Sequence, residues 1–234
     1  MKILQKGFNY SQDGPGNRIV YHLQGCNFRC KWCSNPESMP AENPKAKDYT
    51  VDELADEVMR SRMMFFDGGG VTFTGGECTL QADELIEALK KLKENGINTA
   101  IETNASNPRL PEIAEYVDYL ITDFKHYDGE AHKKWIDTGN GQVLKNLTEL
   151  INSGRSLHIR IPLIHNVNDD YQGFLDFFKD KNTDNIDVEI LPYHEYGKDK
   201  WTTEYEISDG FVSDETVREF NKKLNEIGIK TIKT

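Results

Sequence analysis

Three of the four cysteines lie close together in sequence, with a spacing that suits a metal-binding loop. Cys26, Cys30 and Cys33 follow the pattern C-x3-C-x2-C, and Cys78 lies far from them. In a reducing compartment, clustered thiols indicate a metal or redox site rather than a disulfide framework. Three thiolates can bind three irons of a cubane cluster and leave one iron open for a small-molecule ligand, whereas a cluster that only transfers electrons normally takes four cysteines.

A structural zinc ion is the alternative for the same thiols. Zinc prefers four closed ligands, usually in two separated pairs. His22 or Cys78 is available as a fourth ligand. The sequence therefore predicts a [4Fe–4S] cluster at the cysteine loop, residues 26–33, and leaves zinc as the second interpretation.

Short apolar runs alternate with segments of helical periodicity along the whole chain. A capping-box pattern at Thr50 and Glu53 marks the first of the helices. Six strands, each followed by a helix, are the expected pattern, and right-handed crossovers then require a parallel sheet. Both a doubly wound sheet and an open, partial barrel satisfy this pattern. The strands are expected at 18–23, 70–74, 97–102, 119–124, 157–161 and 188–191, and the helices at 50–65, 82–92, 108–116, 143–152, 169–180 and 212–227.

Polar residues follow each of these strands at its carboxyl end, where α/β folds bind their ligands. In strand order they are Cys26, Cys30 and Cys33; Gly75, Gly76 and Glu77; Glu102, Thr103 and Asn104; Asp123 and Lys125; Arg160; and His194. One site built from all six strand ends is therefore expected.

Composition and charge exclude several classes of function. The chain has 234 residues with 28 Lys and Arg against 39 Asp and Glu, a formal net charge of -11. Such an acidic chain has neither the basic surface of a nucleic-acid binder nor a polybasic membrane anchor. It has no apolar run long enough to span a bilayer and no secretory signal. We expect one cytoplasmic domain, residues 1–234, with no nucleic-acid or membrane partner.

The residues around the cysteines resemble a known family. The cysteine loop, residues 25–33, is similar to the cluster loop of the radical S-adenosylmethionine (SAM) superfamily. Further motifs narrow the resemblance to the glycyl-radical-enzyme activases, and they run in order from about residue 7 to about residue 230. These motifs are DGPGNR at 13–18, SNP at 34–36, TGGE at 74–77, DFK at 123–125, and LPYH at 191–194 with Gly197, Lys200 and Trp201. The resemblance implies an α/β fold, a partial (β/α)6 TIM-like barrel of the radical SAM type.

The same resemblance implies the cofactors and the reaction. One [4Fe–4S] cluster bound by Cys26, Cys30 and Cys33 would reductively cleave SAM to a 5′-deoxyadenosyl radical. That radical would remove a hydrogen atom from a glycine of a partner glycyl radical enzyme, and pyruvate formate-lyase is the nearest expected partner. A radical SAM enzyme that acts on a small molecule or another peptide is the alternative.

The resemblance also implies roles for individual residues of this sequence. Trp32 and Ser34 are implied on the adenine side of SAM, with Asn35 packed near the cofactor. The stretch Gly75-Gly76-Glu77 is implied to receive the methionine amino group, and Asp123 and Lys125 the carboxylate and ribose. Arg160 and His194 complete the SAM pocket. The resemblance also implies a monovalent cation near Glu102, Thr103 and Asp123, although Glu102 stands where the family has an aspartate.

The same resemblance implies the protein partners. Flavodoxin or ferredoxin is the expected electron donor, with Arg29 and Lys31 as candidate docking residues, and residues 196–211 are candidates to line the cleft for the partner's glycine loop. Because the stretch between Cys33 and Thr50 is short and lacks cysteine, no ferredoxin-like insert and only one cluster are expected. The protein is expected to be a monomer.

Overall fold

A computed structural model describes residues 1–233, which form two compact units. The first unit comprises residues 1–27, 37–103 and 107–121. The second comprises residues 28–36, 104–106 and those from 122 onward.

The first unit contains a sheet with a parallel centre and an antiparallel edge. Parallel pairing places Ile19 opposite Val71 and Val71 opposite Thr99, and the strand order is β3-β1-β2-β4-β5. Strand β1 pairs antiparallel with both β2 and β3. The strands are β1 (Lys2–Tyr10), β2 (Asn17–Leu23), β3 (Lys47–Asp48), β4 (Gly70–Gly75) and β5 (Asn98–Thr103); the helices are α1 (Val51–Arg60), α2 (Ala82–Glu94) and α3 (Leu110–Ala114).

The second unit also contains parallel strands, with Ile159 opposite Val188 and Val188 opposite Thr231. Phe124 and Phe174 meet edge to face in its aromatic core, with ring centroids 4.9 Å apart. The strands are β7 (Leu157–Leu163), β8 (Ile186–Pro192) and β9 (Lys230–Ile232); the helices are α4 (Gly129–Ile136), α5 (Gly141–Asn152), α6 (Gln172–Phe178) and α7 (Asp214–Glu226). Strand β6 (Tyr119–Asp123) contributes residues to both units.

The motif at residues 13–18 has a structural role at the amino-terminal ends of β2 and β4. The buried Arg18 guanidinium donates to the hydroxyl of Thr72 at 2.8 Å, to the carbonyl of Val71 at 2.8 Å and to that of Pro15 at 3.0 Å. A Cβ atom on Gly16, where φ is +67°, would lie 2.3 Å from the carbonyl oxygen of Phe66. Arg18 and Gly16 therefore join the turn at residues 13–18 to the neighbouring strands. They do so at the amino-terminal ends of these strands, opposite to the carboxyl ends that the polar residues follow.

All six predicted strands are present, as β2 and β4 to β8. The capping box of α1 is confirmed, since Thr50 accepts from the amide of Glu53 at 3.1 Å and Glu53 accepts from the amide of Thr50 at 2.9 Å. The predicted end of this helix at residue 65 is wrong, because it ends at Arg60 and a separate 3-10 turn follows. The sequence did not predict β1, β3, α4 or β9. No helix in residues 1–233 has the length and apolar character needed to cross a bilayer.

Candidate functional site

In the first unit, the two glycines at the carboxyl end of β4, Gly75 and Gly76, allow close contact with the end of β2 and the start of the cysteine loop. The amide of Gly76 donates to the carbonyl of Leu23 at 2.9 Å, and the amide of Glu77 donates to that of Gly25 at 2.8 Å. A Cβ atom on Gly76 would lie 2.1 Å from the Gly25 oxygen, so only glycine fits. The amide of Cys26 donates to Met39 O at 3.1 Å. The backbone at the start of the cysteine loop, directly after β2, is therefore held by hydrogen bonds within the first unit.

Glu77 is buried, and its carboxylate is anchored inside the first unit. Its Oε1 atom accepts from the amide of Thr79 at 3.0 Å and from the hydroxyl of Thr103 at 2.6 Å. Glu102 accepts a hydrogen bond from the hydroxyl of Thr74 at 3.1 Å. The oxygen atoms expected to bind an ammonium group or a cation therefore already have protein partners here, and their ligand roles stay predictions.

Cys78 is a buried neutral thiol. Its Sγ donates to the carbonyl of Glu102, 3.4 Å away. Burial, followed by the negative charges of Glu77 and Glu102, raises the pKa of Cys78 well above its ordinary value. A thiol that stays protonated is a poor metal ligand and a poor nucleophile.

In the second unit, the remainder of the cysteine loop is held by the carboxyl end of α4. The amides of Arg29 and Lys31 donate to Ile136 O at 3.0 Å and to Trp135 O at 3.1 Å. The last carbonyls of a helix have no partner within the helix, so these bonds satisfy them. The amide of Cys33 donates to Cys30 O at 3.1 Å, which closes the turn between the two thiols.

Lys125 provides a buried positive charge in the second unit. Its ammonium lies 2.8 Å from the carboxylate of Asp123, and 13% of its side chain is exposed. Burial acts to lower the pKa of Lys125, but the charges of Asp123, Cys30 and Cys33 raise it above its ordinary value. The ammonium therefore stays protonated and can compensate thiolate or carboxylate charge.

Arg160 belongs to a buried network of charged side chains that the sequence analysis did not identify. Its Nε atom donates to Glu189 at 3.0 Å, and the Nε2 atom of His158 lies 3.3 Å from the same carboxylate. The Nδ1 atom of His158 is bonded to Asp187. Alternating polar residues in two otherwise apolar strands were the available signal, because residues two apart share one face of a strand.

His194 follows β8 and stacks on Tyr196, with ring centroids 4.3 Å apart. Its Nδ1 atom accepts from the amide of Tyr196 at 3.3 Å, so the neutral ring carries its proton on Nε2. Partial burial lowers the pKa of His194. The ring is therefore a neutral hydrogen-bond donor at the carboxyl end of the strand.

The residues on both sides of the third cysteine also belong to the second unit. Trp32 is buried, and the amide of Asn35 donates to the Sγ of Cys33 at 3.4 Å. Ser34 and Asn35 contact Lys200, whose ammonium lies 3.0 Å from Ser34 O and 2.8 Å from Asn35 Oδ1.

The donor chemistry fits an iron–sulfur cluster. All four cysteines lie within the described residues and none forms a disulfide; Cys26 and Cys33 are half-buried. The ammonium of Lys125 can balance the negative charge of a thiolate-ligated cluster. Within residues 1–233, no three His, Cys, Asp or Glu side chains are placed so that they could hold a single metal ion.

Comparison with known proteins gives consistent matches. The model of the radical SAM superfamily matches residues 20–178. The chain is 35% identical over 200 residues to a pyruvate formate-lyase-activating enzyme of Staphylococcus epidermidis, covering 81% of this chain and 79% of the relative. It is 32% identical over 287 aligned positions to a 4-hydroxyphenylacetate decarboxylase activating enzyme of Clostridioides difficile, covering 93% of this chain and 90% of the relative.

A solved structure is also similar. A domain of a pyruvate-formate lyase-activating enzyme from Bacteroides vulgatus superposes with a TM-score of 0.60 at 28% identity, covering 70% of this chain and 98% of that domain. Together with the parallel strands described above, these matches confirm the expected α/β fold class, a partial (β/α)6 barrel of the radical SAM type.

Proposed function

Because this chain belongs to the radical SAM superfamily and, within it, to the activating enzymes of glycyl radical enzymes, we propose that it generates a glycyl radical in a partner enzyme of the pyruvate formate-lyase type. The observation that carries the proposal is similarity to activating enzymes over most of the chain, combined with the C-x3-C-x2-C loop. When bound, a [4Fe–4S] cluster and SAM would supply a 5′-deoxyadenosyl radical, formed when one electron from an external donor cleaves SAM. The radical would remove a hydrogen atom from a glycine of the partner enzyme. The chain's own residues bind, orient and shield the cofactors.

Cys26, Cys30 and Cys33 are the proposed cluster ligands. They form no disulfide, and the backbone of the loop is hydrogen-bonded within each unit, at Cys26 in the first and at Arg29 and Lys31 in the second. Cys78 is not a proposed ligand, because it is a buried thiol bonded to Glu102 O. Three thiolates would hold three irons of a [4Fe–4S] cluster and would leave the fourth available to SAM.

The proposed SAM contacts combine opposite charges with neutral donors. The Lys125 ammonium and the Arg160 guanidinium suit a carboxylate, whereas Asp123 and Glu77 suit an ammonium or ribose hydroxyls. His194 can donate from Nε2. The remaining proposed contacts are Trp32, Ser34, Asn35, Gly75 and Gly76. A monovalent cation near Glu102, Thr103 and Asp123 stays a prediction.

The identity of the partner rests on residues that one relative carries inside the aligned region. The alignment with the 4-hydroxyphenylacetate decarboxylase activating enzyme has 287 positions but covers 93% of the 234 residues here, so that relative has extra residues within this region. The alignment with the pyruvate formate-lyase-activating enzyme has 200 positions and covers 81% of this chain, so it contains few unmatched residues. The second alignment supports pyruvate formate-lyase as the partner, in agreement with the short stretch after Cys33.

Flavodoxin or ferredoxin is the proposed electron donor, and the protein is proposed to act as a cytoplasmic monomer. Lys31 also has partners within the chain, which would compete with a docked electron donor. Its ammonium is paired with Glu206 and lies 5.7 Å from the centroid of the Trp135 ring. Charge reversal at Arg29 and Lys31 is therefore the direct test of donor docking.

The function is tested by anaerobic reconstitution of the full chain with iron and sulfide, followed by dithionite and SAM. Wild type and Cys78→Ala are expected to form 5′-deoxyadenosine, and Cys30→Ala is expected to form none. Pyruvate formate-lyase is then added, with 4-hydroxyphenylacetate decarboxylase in parallel, and the glycyl radical is detected by electron paramagnetic resonance (EPR). Cleavage of SAM without a radical in either partner would favour the alternative of another substrate. Zinc binding without cleavage would contradict the proposal.

A further inference from the structure

The segment after β8 lies against the last part of the cysteine loop, within the second unit. We name residues 197–206 the strap. The indole Nε1 of Trp201 donates to Cys33 O at 3.0 Å. The ammonium of Lys200 donates to Ser34 O at 3.0 Å and to Asn35 Oδ1 at 2.8 Å. Two adjacent strap residues thus bind three consecutive residues, 33–35, at the end of the cysteine loop and directly after it.

The backbone of the strap approaches the loop closely at Gly197. A Cβ atom on this residue would lie 2.4 Å from Ser34 Cα and 2.5 Å from Ser34 O. Its φ of -98° is available to any residue, so glycine is required for space and not for conformation. A side chain here would separate the strap from the loop.

The strap is also anchored to the rest of its unit. The rings of Trp201 and Tyr205 meet edge to face at 5.6 Å, and the hydroxyl of Tyr205 lies 3.0 Å from that of Tyr193, next to the end of β8. Glu206 pairs with Lys31, which lies between Cys30 and Cys33. Because the strap is fixed at Tyr205 and at Glu206, it can restrain the cysteine loop.

Within the restrained turn at residues 33–35, one backbone amide donates a hydrogen bond to a proposed cluster ligand. The amide of Asn35 donates to Cys33 Sγ at 3.4 Å. Hydrogen bonds to cysteine sulfur stabilise the more negative, reduced state of an iron–sulfur cluster and so raise its reduction potential. The orientation of this amide depends on the peptide units of residues 33–35, which Trp201 and Lys200 hold.

We propose that Lys200 and Trp201 are positioning residues, which hold the turn at residues 33–35 so that the Asn35 amide stays on the Cys33 sulfur and the turn can receive the adenine side of SAM. This inference rests on the proposed function. Neither residue touches the reacting atoms. They act through the loop.

Two variants test the role of the strap. Trp201→Phe removes the indole N–H and keeps a ring against Tyr205, and Lys200→Met removes the donor and keeps the aliphatic stem. Lys198→Met is the matched control, because Lys198 lies in the same 3-10 turn but pairs with Glu195 at 3.0 Å. Since Lys200 is exposed, Lys200→Met decides the question if Trp201→Phe does not fold.

Hydrogen–deuterium exchange is measured first, on the full chain without its cluster. Both variants are expected to exchange the amides of residues 33–35 faster than wild type and Lys198→Met. In the reconstituted protein we expect a more negative midpoint potential, an altered EPR signal of the reduced cluster with SAM, and about tenfold weaker SAM binding for the loss of one or two hydrogen bonds.

Unchanged exchange in both variants would overturn the proposal. Faster exchange with wild-type potential and wild-type SAM affinity would overturn it as well, since the strap would then be merely structural. Failure of the proposed function gives a different result, because wild type itself would then hold no cluster or cleave no SAM, whatever the exchange measurement shows.

Discussion

Arg160 and Glu189 form a buried ion pair across β7 and β8, with 3.0 Å between the guanidinium Nε and the carboxylate. The two residues stand directly opposite each other in the parallel register. His158 contacts the same carboxylate. The guanidinium proposed to bind SAM is therefore held by a neighbouring strand and not by a mobile loop.

Replacing Glu189 by glutamine is expected to destabilise the protein. The substitution keeps the shape but removes the buried negative charge that Arg160 and His158 share, which costs about 3 kcal/mol of unfolding free energy. Urea denaturation of the protein without its cluster measures the loss. Glu204→Gln is the control, since Glu204 is exposed and its replacement should change stability by no more than about 0.5 kcal/mol. Equal effects of the two substitutions would contradict the ion-pair argument.

The pH dependence of stability should report the charge on His158. Burial acts to lower its pKa, but the hydrogen bonds to Asp187 and Glu189 outweigh burial and raise it. A raised folded-state pKa gives stabilisation that is complete below the unfolded value of about 6.5 and is lost as pH rises through the folded value. Urea denaturation at increasing pH should therefore show wild type losing more stability than His158→Gln. Parallel curves for the two proteins would show that the histidine is not charged in the folded state.

Cys78 is expected to resist alkylation in the folded protein. The thiolate is the reactive species, and the pKa of this buried thiol is raised by burial and by the charges of Glu77 and Glu102. In protein without its cluster, iodoacetamide should modify the half-buried Cys26 and Cys33 first, as followed by mass spectrometry of peptides. Cys78 should react only after denaturant is added. Early labelling of Cys78 would mean that the first unit opens readily.

Gly16→Ala is expected to weaken the turn at residues 13–18. The new methyl group would lie 2.3 Å from Phe66 O at a backbone φ of +67°, and strained positions of this kind cost about 1 to 3 kcal/mol. Gly139→Ala is the matched control, because a Cβ there meets nothing within 4 Å. Thermal unfolding of both variants should show a lower melting temperature for Gly16→Ala alone. A wild-type melting temperature would show that the turn adapts.

The parts of the fold that the sequence predicted are those with strong periodicity. Strands β4 and β7 are almost entirely buried, and apolar or β-branched residues occupy most of their positions. Strand β1 was missed because residues 5–8 along it are exposed and its sequence mixes polar and apolar residues. Helix α4 was missed because only His132 and Ile136 are buried in it, which leaves no apolar stripe.

The candidate site was predictable where short motifs specify chemistry, as in the cysteine loop. Supporting residues were not predictable, since they depend on pairing between distant segments. His158 and Asp187 are brought together only by the register of β7 and β8. Trp201 reaches Cys33 across 168 positions of sequence. No local sequence pattern specifies which distant residue each of these side chains meets.

The amides of Arg29 and Lys31 are bonded to the last carbonyls of α4. Part of the loop that presents the thiols is therefore shaped by main-chain hydrogen bonds to the carboxyl end of α4. A substitution that unwinds the last turn of this helix would therefore disturb the backbone beside Cys30, although the two segments are distant in sequence.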